Sequence, residues 1–364
     1  MIVYIITTLL ATGIAFTSDI LYKSTQNISV KKIGIIISAI PPILVASIRY
    51  NVGTDYITYS NFQFPTVLSG QDKNFDIVEP LYQVIIYIGH FFDNNFMFYG
   101  YPYQWIFILT HILIVGFVFY GIYLQIEYIS LPILLFFISN FYFTSLNAMR
   151  QGIGIAIFFF ALQYIFSKDW KRYFFWCAIA TGFHISSIMF FPIYFITLFS
   201  KKVYAWTLCI PIFLLFIANK LAPILLKLAI IFSTKYVKYF IVDYNIGLSR
   251  SSFVVLLIIL LIFYFCFHNG SERQKTLYMI QLLLTIITSL GAVYPQSSRL
   301  VYSLLITVCL SIPELYKMSK YSKTTRFLIT SFLIILLIIY CEIQFSAGRN
   351  ELLPFRTIWR NEIK

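Results

Sequence analysis

The sequence predicts an all-helical polytopic membrane protein: one bundle of about 12 transmembrane helices (range 10–13), some short or re-entrant, with two extracytoplasmic loops. Three observations carry this reading. Of the 364 residues 60% are hydrophobic, 20% aromatic and only 11% charged. An average soluble domain is about 25% charged, so too little polar side chain is present to cover a water-soluble globule. The mean hydropathy is +0.82, and apolar runs of about 15 to 20 residues recur along the chain. Those runs are continuously apolar instead of alternating, which excludes a transmembrane β-barrel. A soluble enzyme, a nucleic-acid-binding domain and a secreted disulfide scaffold are excluded with it.

Taken in order, apolar segments fall near 2–18, 33–48, 102–121, 129–146, 150–166, 173–184, 185–199, 203–218, 252–268, 276–292, 300–314 and 327–343. The first lacks a basic leader and an A-x-A cleavage pattern, so it reads as a retained helix. The segment Glu79 to Phe92 is amphipathic and short, and is expected to lie in the interface or re-enter. Neither an internal repeat nor a domain linker appears, so residues 1–364 read as one integral membrane domain. Cys177, Cys209, Cys266, Cys309 and Cys341 are scattered through apolar runs without ligand spacing, as small core hydrophobes.

The net charge of +13 is distributed unevenly. Brief basic loops carry Lys23, Lys31 and Lys32; Lys168, Lys171 and Arg172; Lys201 and Lys202; Arg273 and Lys275; and Lys317, Lys320, Lys323 and Arg326. Positive loops stay cytoplasmic, which puts both termini outside. The loops at about 49–101 and 219–251, together with the tail 344–364, then form an extracytoplasmic working face.

Polar residues inside or at the ends of apolar helices are expensive and mark candidate chemistry. Arg150, in Asn147-Ala148-Met149-Arg150-Gln151, sits between two apolar helices. It either points a guanidinium into an external cavity, where it grips a phosphate bidentately, or snorkels to headgroups. Arg49 ends the second helix, and Gly53 allows a turn bringing Asp55 back towards it. Tyr56 and Tyr59 follow, as platforms for sugar rings or as ordinary interfacial aromatics. Glu79 precedes Pro80 at a helix start, where a carboxylate is favoured with or without a function.

His184 stands midway along 27 largely apolar residues between two basic loops. Each half reaches only about 20 Å, so the run should go out and return with His184 at a hairpin tip lining a cavity. A neutral imidazole there is a general base; the plainer reading is a packed structural histidine. Arg299, after Pro295-Gln296-Ser297-Ser298, again starts an apolar helix on the outer side, and Arg250 begins another more weakly. By this topology Arg49, Arg150, His184 and Arg299 share one face, as a basic site for an anionic lipid-linked substrate. The sequence has no G-x-x-x-x-G-K-[ST], no D-x-D pair and no H-E-x-x-H helix, so neither metal nor cofactor is expected.

An ordered series of motifs then accumulates: Arg49 with Val52-Gly53-Thr54-Asp55-Tyr56 and Tyr59; Glu79-Pro80-Leu81-Tyr82; Asn147-x-x-Arg150-Gln151; Phe183-His184-Ile185-Ser186; Ser298-Arg299-Leu300; and Pro354-Phe355-Arg356. Together they resemble the EpsG/Wzy-like family of polysaccharide polymerases. The resemblance implies a bacterial inner-membrane glycosyltransferase that joins oligosaccharide repeat units carried on undecaprenyl diphosphate, at the outer face, without nucleotide sugar or metal. On that basis Arg150 and Arg299 hold the diphosphate and His184 takes a proton. Arg49, Asp55, Tyr56, Tyr59, Glu79, Asn147, Gln151 and Arg250 bind substrate. Membrane lipid and a chain-length regulator are the other expected partners, and nucleic acid is not one. A flippase for the same lipid-linked sugar, a ligase or acyltransferase on a similar lipid, and a non-catalytic scaffold stay open as alternatives.

Overall fold

The computed structural model describes residues 1–96, 102–232, 250–291, 297–348 and 350–359. Contacts gather the chain into two compact units, Met1–Phe137, Tyr142–Tyr194 and Asn350–Lys364 in the first, Ile138–Phe141 and Phe195–Arg349 in the second. No polar linker marks the division, which is why the sequence reads as one undivided bundle.

The first unit opens with α1 (Ile2–Thr25) and α2 (Ile28–Ile48). Gln26 is left-handed at φ 53°, and Asn27 caps α2 by accepting from the Ser29 N–H. The two helices touch through small residues: a Cβ added at Gly34 would stand 2.0 Å from the Ser18 Oγ. Such close approach is how helices associate where lipid removes the hydrophobic driving force. Next come α3 (Pro80–Asn95) and α4 (Gln104–Gln125), where Gly89 abuts the backbone of Ile106.

The run expected as one helix over 129–146 is broken. Its first part, α5 (Ser130–Ile138), gives way at Asn140, left-handed at φ 66°, to a short helix over Phe141–Ser145. Asparagine tolerates that conformation, and the apolar pattern conceals it. A second break precedes the central α6 (Met149–Phe166), which is buried on nearly every side.

Asp169 caps α7 (Trp170–Phe183), which ends at an extended His184 and is followed by a 3₁₀ helix over Ile185–Phe195. These two lie antiparallel: the Tyr173 hydroxyl donates to the Phe190 carbonyl at 2.7 Å, and the Tyr194 hydroxyl to Lys168 at 3.2 Å. The apolar run therefore turns back at His184.

Alternation of helix direction gives this unit two distinct ends. At one, Asp19 accepts from the Ile129 and Ser130 N–H groups, and Lys31 donates to the carbonyls of Tyr123 and Ile126. At the other, about 30 Å along α2, stand Arg49, the start of α3, the start of α4, the start of α6 and the end of α7.

The second unit contains α8 (Cys209–Phe232), α9 (Arg250–Phe267), α10 (Glu272–Ser289), α11 (Ser297–Leu305) and α12 (Lys323–Ser346). A capping box between Ser271 and Gln274 starts α10. Its interior is unusually polar: Gln344 donates to the Ser252 hydroxyl at 3.0 Å, and the buried Glu314 pairs with Arg273 at 2.9 Å and Lys317 at 2.7 Å. Helix α8 continues to Phe232, inside the segment expected as an external loop from 219; residues 233–249 of that loop lie outside the described residues.

Among the described residues, seven helices are long and apolar enough to cross a membrane, with shorter apolar helices over 185–199 and 205–221. The chain is a polytopic helical membrane protein, as its composition predicts.

Candidate functional site

Five chain segments meet at the second end of the first unit. Glu79 stands just before α3 in extended conformation, with Pro80 setting the first helical turn. Its carboxylate is shared. Oε2 accepts from Arg150 Nη1 at 2.5 Å, and Oε1 lies 2.8 Å from His184 Nδ1 and 3.1 Å from the Ile185 N–H. Arg150 Nη1 also donates to the Ile77 carbonyl at 2.8 Å. The three side chains are between 14% and 17% exposed, so the group is recessed but open to a ligand.

Electrostatics follow from this contact. Burial pulls the Glu79 carboxyl up, but the hydrogen bond from His184, the Arg150 guanidinium and the Ile185 N–H pull it further down, to about 2. A carboxyl lowered in this way stabilises the fold fully above its ordinary 4.5 and stops doing so as the pH falls towards about 2. Glu79 is thus ionised throughout the neutral range and only accepts. The proton at the 2.8 Å contact therefore sits on His184 Nδ1. His184 Nε2 has no hydrogen-bond partner among the described residues.

Arg49 takes a different place from the one expected. It is completely buried and pairs with no carboxylate among the described residues. Its guanidinium donates to the Leu146 carbonyl and to Met149 Sδ, and lies 5.4 Å from the Phe107 ring and 5.9 Å from Tyr56. It grips the break that precedes α6, and so fixes the turn from which Arg150 projects.

Tyr56 and Tyr59, expected as sugar platforms, are 5% and 4% exposed, with their rings turned inward. Tyr56 stacks on Phe107 at 4.6 Å, and Tyr59 lies beside Arg150, Phe64 and Tyr82. They form the wall of the site. Asp55 is half-buried just ahead of them, its carbonyl accepting from the Tyr59 N–H at 3.0 Å. Gln151 is 5% exposed in the first turn of α6.

The tail returns to this end. Tyr50 N donates to the Arg356 carbonyl, Ile358 N to Ile48, and Gly53 N to Glu351, making Arg49 and Thr357 an antiparallel bridge. The Tyr4 hydroxyl donates to Leu352, and the buried Asn147 to the Asn350 carbonyl at 2.8 Å. Motifs far apart in sequence, from Arg49 to Arg356, are thereby neighbours.

Gly53 makes this possible. Its φ is +101°, and an added Cβ would lie 2.1 Å from the Asn147 Oδ1. Gly53→Ala is expected to cost roughly 1–3 kcal/mol in backbone strain alone and to lower the unfolding temperature of the detergent-solubilised protein. An unchanged temperature would count against the close approach.

Arg299 and Arg250 belong to the second unit, where each is exposed in the first turn of its helix, α11 and α9. Tyr294, Pro295 and Gln296 lie outside the described residues. Among those described, no group of three or more His, Cys, Asp or Glu is placed to hold a metal ion.

Sequence reasoning singled out Glu79 for substrate and did not pair it with His184. The separation of 105 positions hides the contact. It also passed over Asp72, whose one signal is an acidic residue shortly before Glu-Pro.

Fold and site together define a multi-spanning membrane protein in which one carboxylate holds both a guanidinium and an imidazole at one end of a helical unit. Residues 32–357 match the EpsG family, and the chain belongs to that family. Membership ties it to polysaccharide synthesis at a membrane. Comparison with curated proteins and with solved structures gave no match.

Proposed function

We propose that the protein is a polysaccharide polymerase of the bacterial inner membrane, acting at its outer face on oligosaccharide units carried by undecaprenyl diphosphate. A hydroxyl of the incoming unit attacks the anomeric carbon bearing the diphosphate. The new C–O bond forms as the old one breaks, and its electron pair leaves on the phosphate oxygen. The hydroxyl proton passes to His184 Nε2. The diphosphate is an activated leaving group, so no further energy source is required.

One observation carries the reading: a single carboxylate, Glu79, binds His184 Nδ1 at 2.8 Å and Arg150 at 2.5 Å. A carboxylate on one ring nitrogen sets the tautomer and orientation of an imidazole so that the other nitrogen serves as base. Arg150 beside it offers planar positive charge to the departing diphosphate, within reach of the same reacting centre. Arg49 is a positioning residue in this scheme, and Tyr56, Tyr59, Asn147 and Gln151 are the buried side chains that back the site. The scheme is built on residues of the first unit and assigns no step to Arg250 and Arg299 of the second.

The test uses purified protein in proteoliposomes with a synthetic undecaprenyl-diphosphate-linked repeat unit. A ladder of products with new glycosidic bonds is the expected outcome. Movement of the lipid between leaflets without new bonds would replace the polymerase by a flippase.

A further inference from the structure

Glu79 has to be delivered to two partners at once, yet it stands at the end of a segment, residues 69–79, that contains no helix or strand. What holds it is a small buried cage. Asp72 is 4% exposed. Its Oδ1 accepts from the Ile77 N–H at 3.1 Å, and its Oδ2 accepts from the Val78 N–H at 2.8 Å. Gln83, one turn into α3 and 7% exposed, closes the cage. Its Nε2 lies 3.0 Å from the Asp72 carbonyl, 3.1 Å from Asp72 Oδ2 and 3.1 Å from the Val78 carbonyl.

The consequences for the site are geometric. Ile77, tied by its N–H to Asp72, presents its carbonyl to Arg150 at 2.8 Å. Val78, tied by both its N–H and its carbonyl, is the residue immediately before Glu79. Rotation about the Val78 backbone would swing the Glu79 carboxylate away from His184, and the cage removes that rotation.

We infer that Asp72, locked by Gln83, is a positioning residue that sets the Glu79 carboxylate between Arg150 and His184 without itself touching substrate. The inference rests on the proposed role of that trio. Asp72→Asn preserves size but replaces one acceptor oxygen with a donor, so one backbone N–H of the cage faces another donor. Displacement of a catalytic group by about 1 Å costs on the order of 10²-fold in rate.

The experiment is a double-mutant cycle on the initial rate of polymer formation, in membrane vesicles of the host carrying the full-length protein and its own lipid-linked repeat unit. Asp72→Asn should slow the rate roughly 10- to 100-fold in an otherwise unaltered chain, and less than about twofold when Glu79→Gln is already present. A purely structural role predicts the same fractional loss in both backgrounds, and equal losses would overturn the inference alone. Glu79→Gln at the unaltered rate would instead bring down the proposed site, and this inference with it. If Asp72→Asn fails to accumulate, Gln83→Met removes only the closing amide. The same cancellation by Glu79→Gln is then expected, and its absence would be decisive against the cage.

Discussion

A His184→Ala protein is expected to insert and accumulate normally yet form polymer some 10²–10⁴-fold more slowly, the usual worth of a placed general base. The side chain is 17% exposed and its one hydrogen bond among the described residues is to Glu79, so its removal leaves no large cavity. The measurement is polymer length and yield in cells whose only copy carries the substitution, with the amount of membrane-inserted protein determined alongside. Long polymer at ordinary yield would remove the imidazole from the mechanism. Glu79→Gln is expected to fall in the same direction, because an amide can donate to Nδ1 and turn the ring to the wrong tautomer.

Arg150→Lys is the second large effect. An ammonium keeps the charge but loses the planar fork, whose Nη1 meets both the Ile77 carbonyl and the Glu79 carboxylate. Loss of one transition-state donor costs about 10²–10³-fold, and weaker binding of undecaprenyl diphosphate, used alone as the probe, should accompany it. Arg150→Ala is the harsher variant, since it strands a recessed carboxylate that carries a pKa of about 2. Poor accumulation of Arg150→Ala that recovers on adding Glu79→Gln would identify the stranded charge as the cause. Unaltered polymerisation by Arg150→Lys would make the residue structural.

The helical membrane class was legible because composition and the length of apolar runs answer directly to the bilayer. So was the turn at His184, since 27 apolar residues between two basic loops divide naturally into two short arms. The break at Asn140 was not legible, because Ser139-Asn140 interrupts an otherwise unbroken apolar run and polarity alone does not report a left-handed residue. At the site, Arg150 and His184 announced themselves as polar groups in apolar surroundings, and Glu79 only as a carboxylate at a helix start. Which of them touch is decided by helix packing at sequence separations of 71 and 105, which no local pattern encodes. Arg49 shows the limit most clearly. A cation at a helix end looks the same in sequence whether it faces a ligand or, as here, a carbonyl, a sulfur and two rings.

The pairing of residues 350–358 with residues 48–53 bears on biogenesis. Everything between Tyr194 and that tail belongs to the other unit, so all of it is synthesised before the first unit can close on the tail. The turn from Arg49 to Gly53 is thereby closed only after the whole of the second unit has been made.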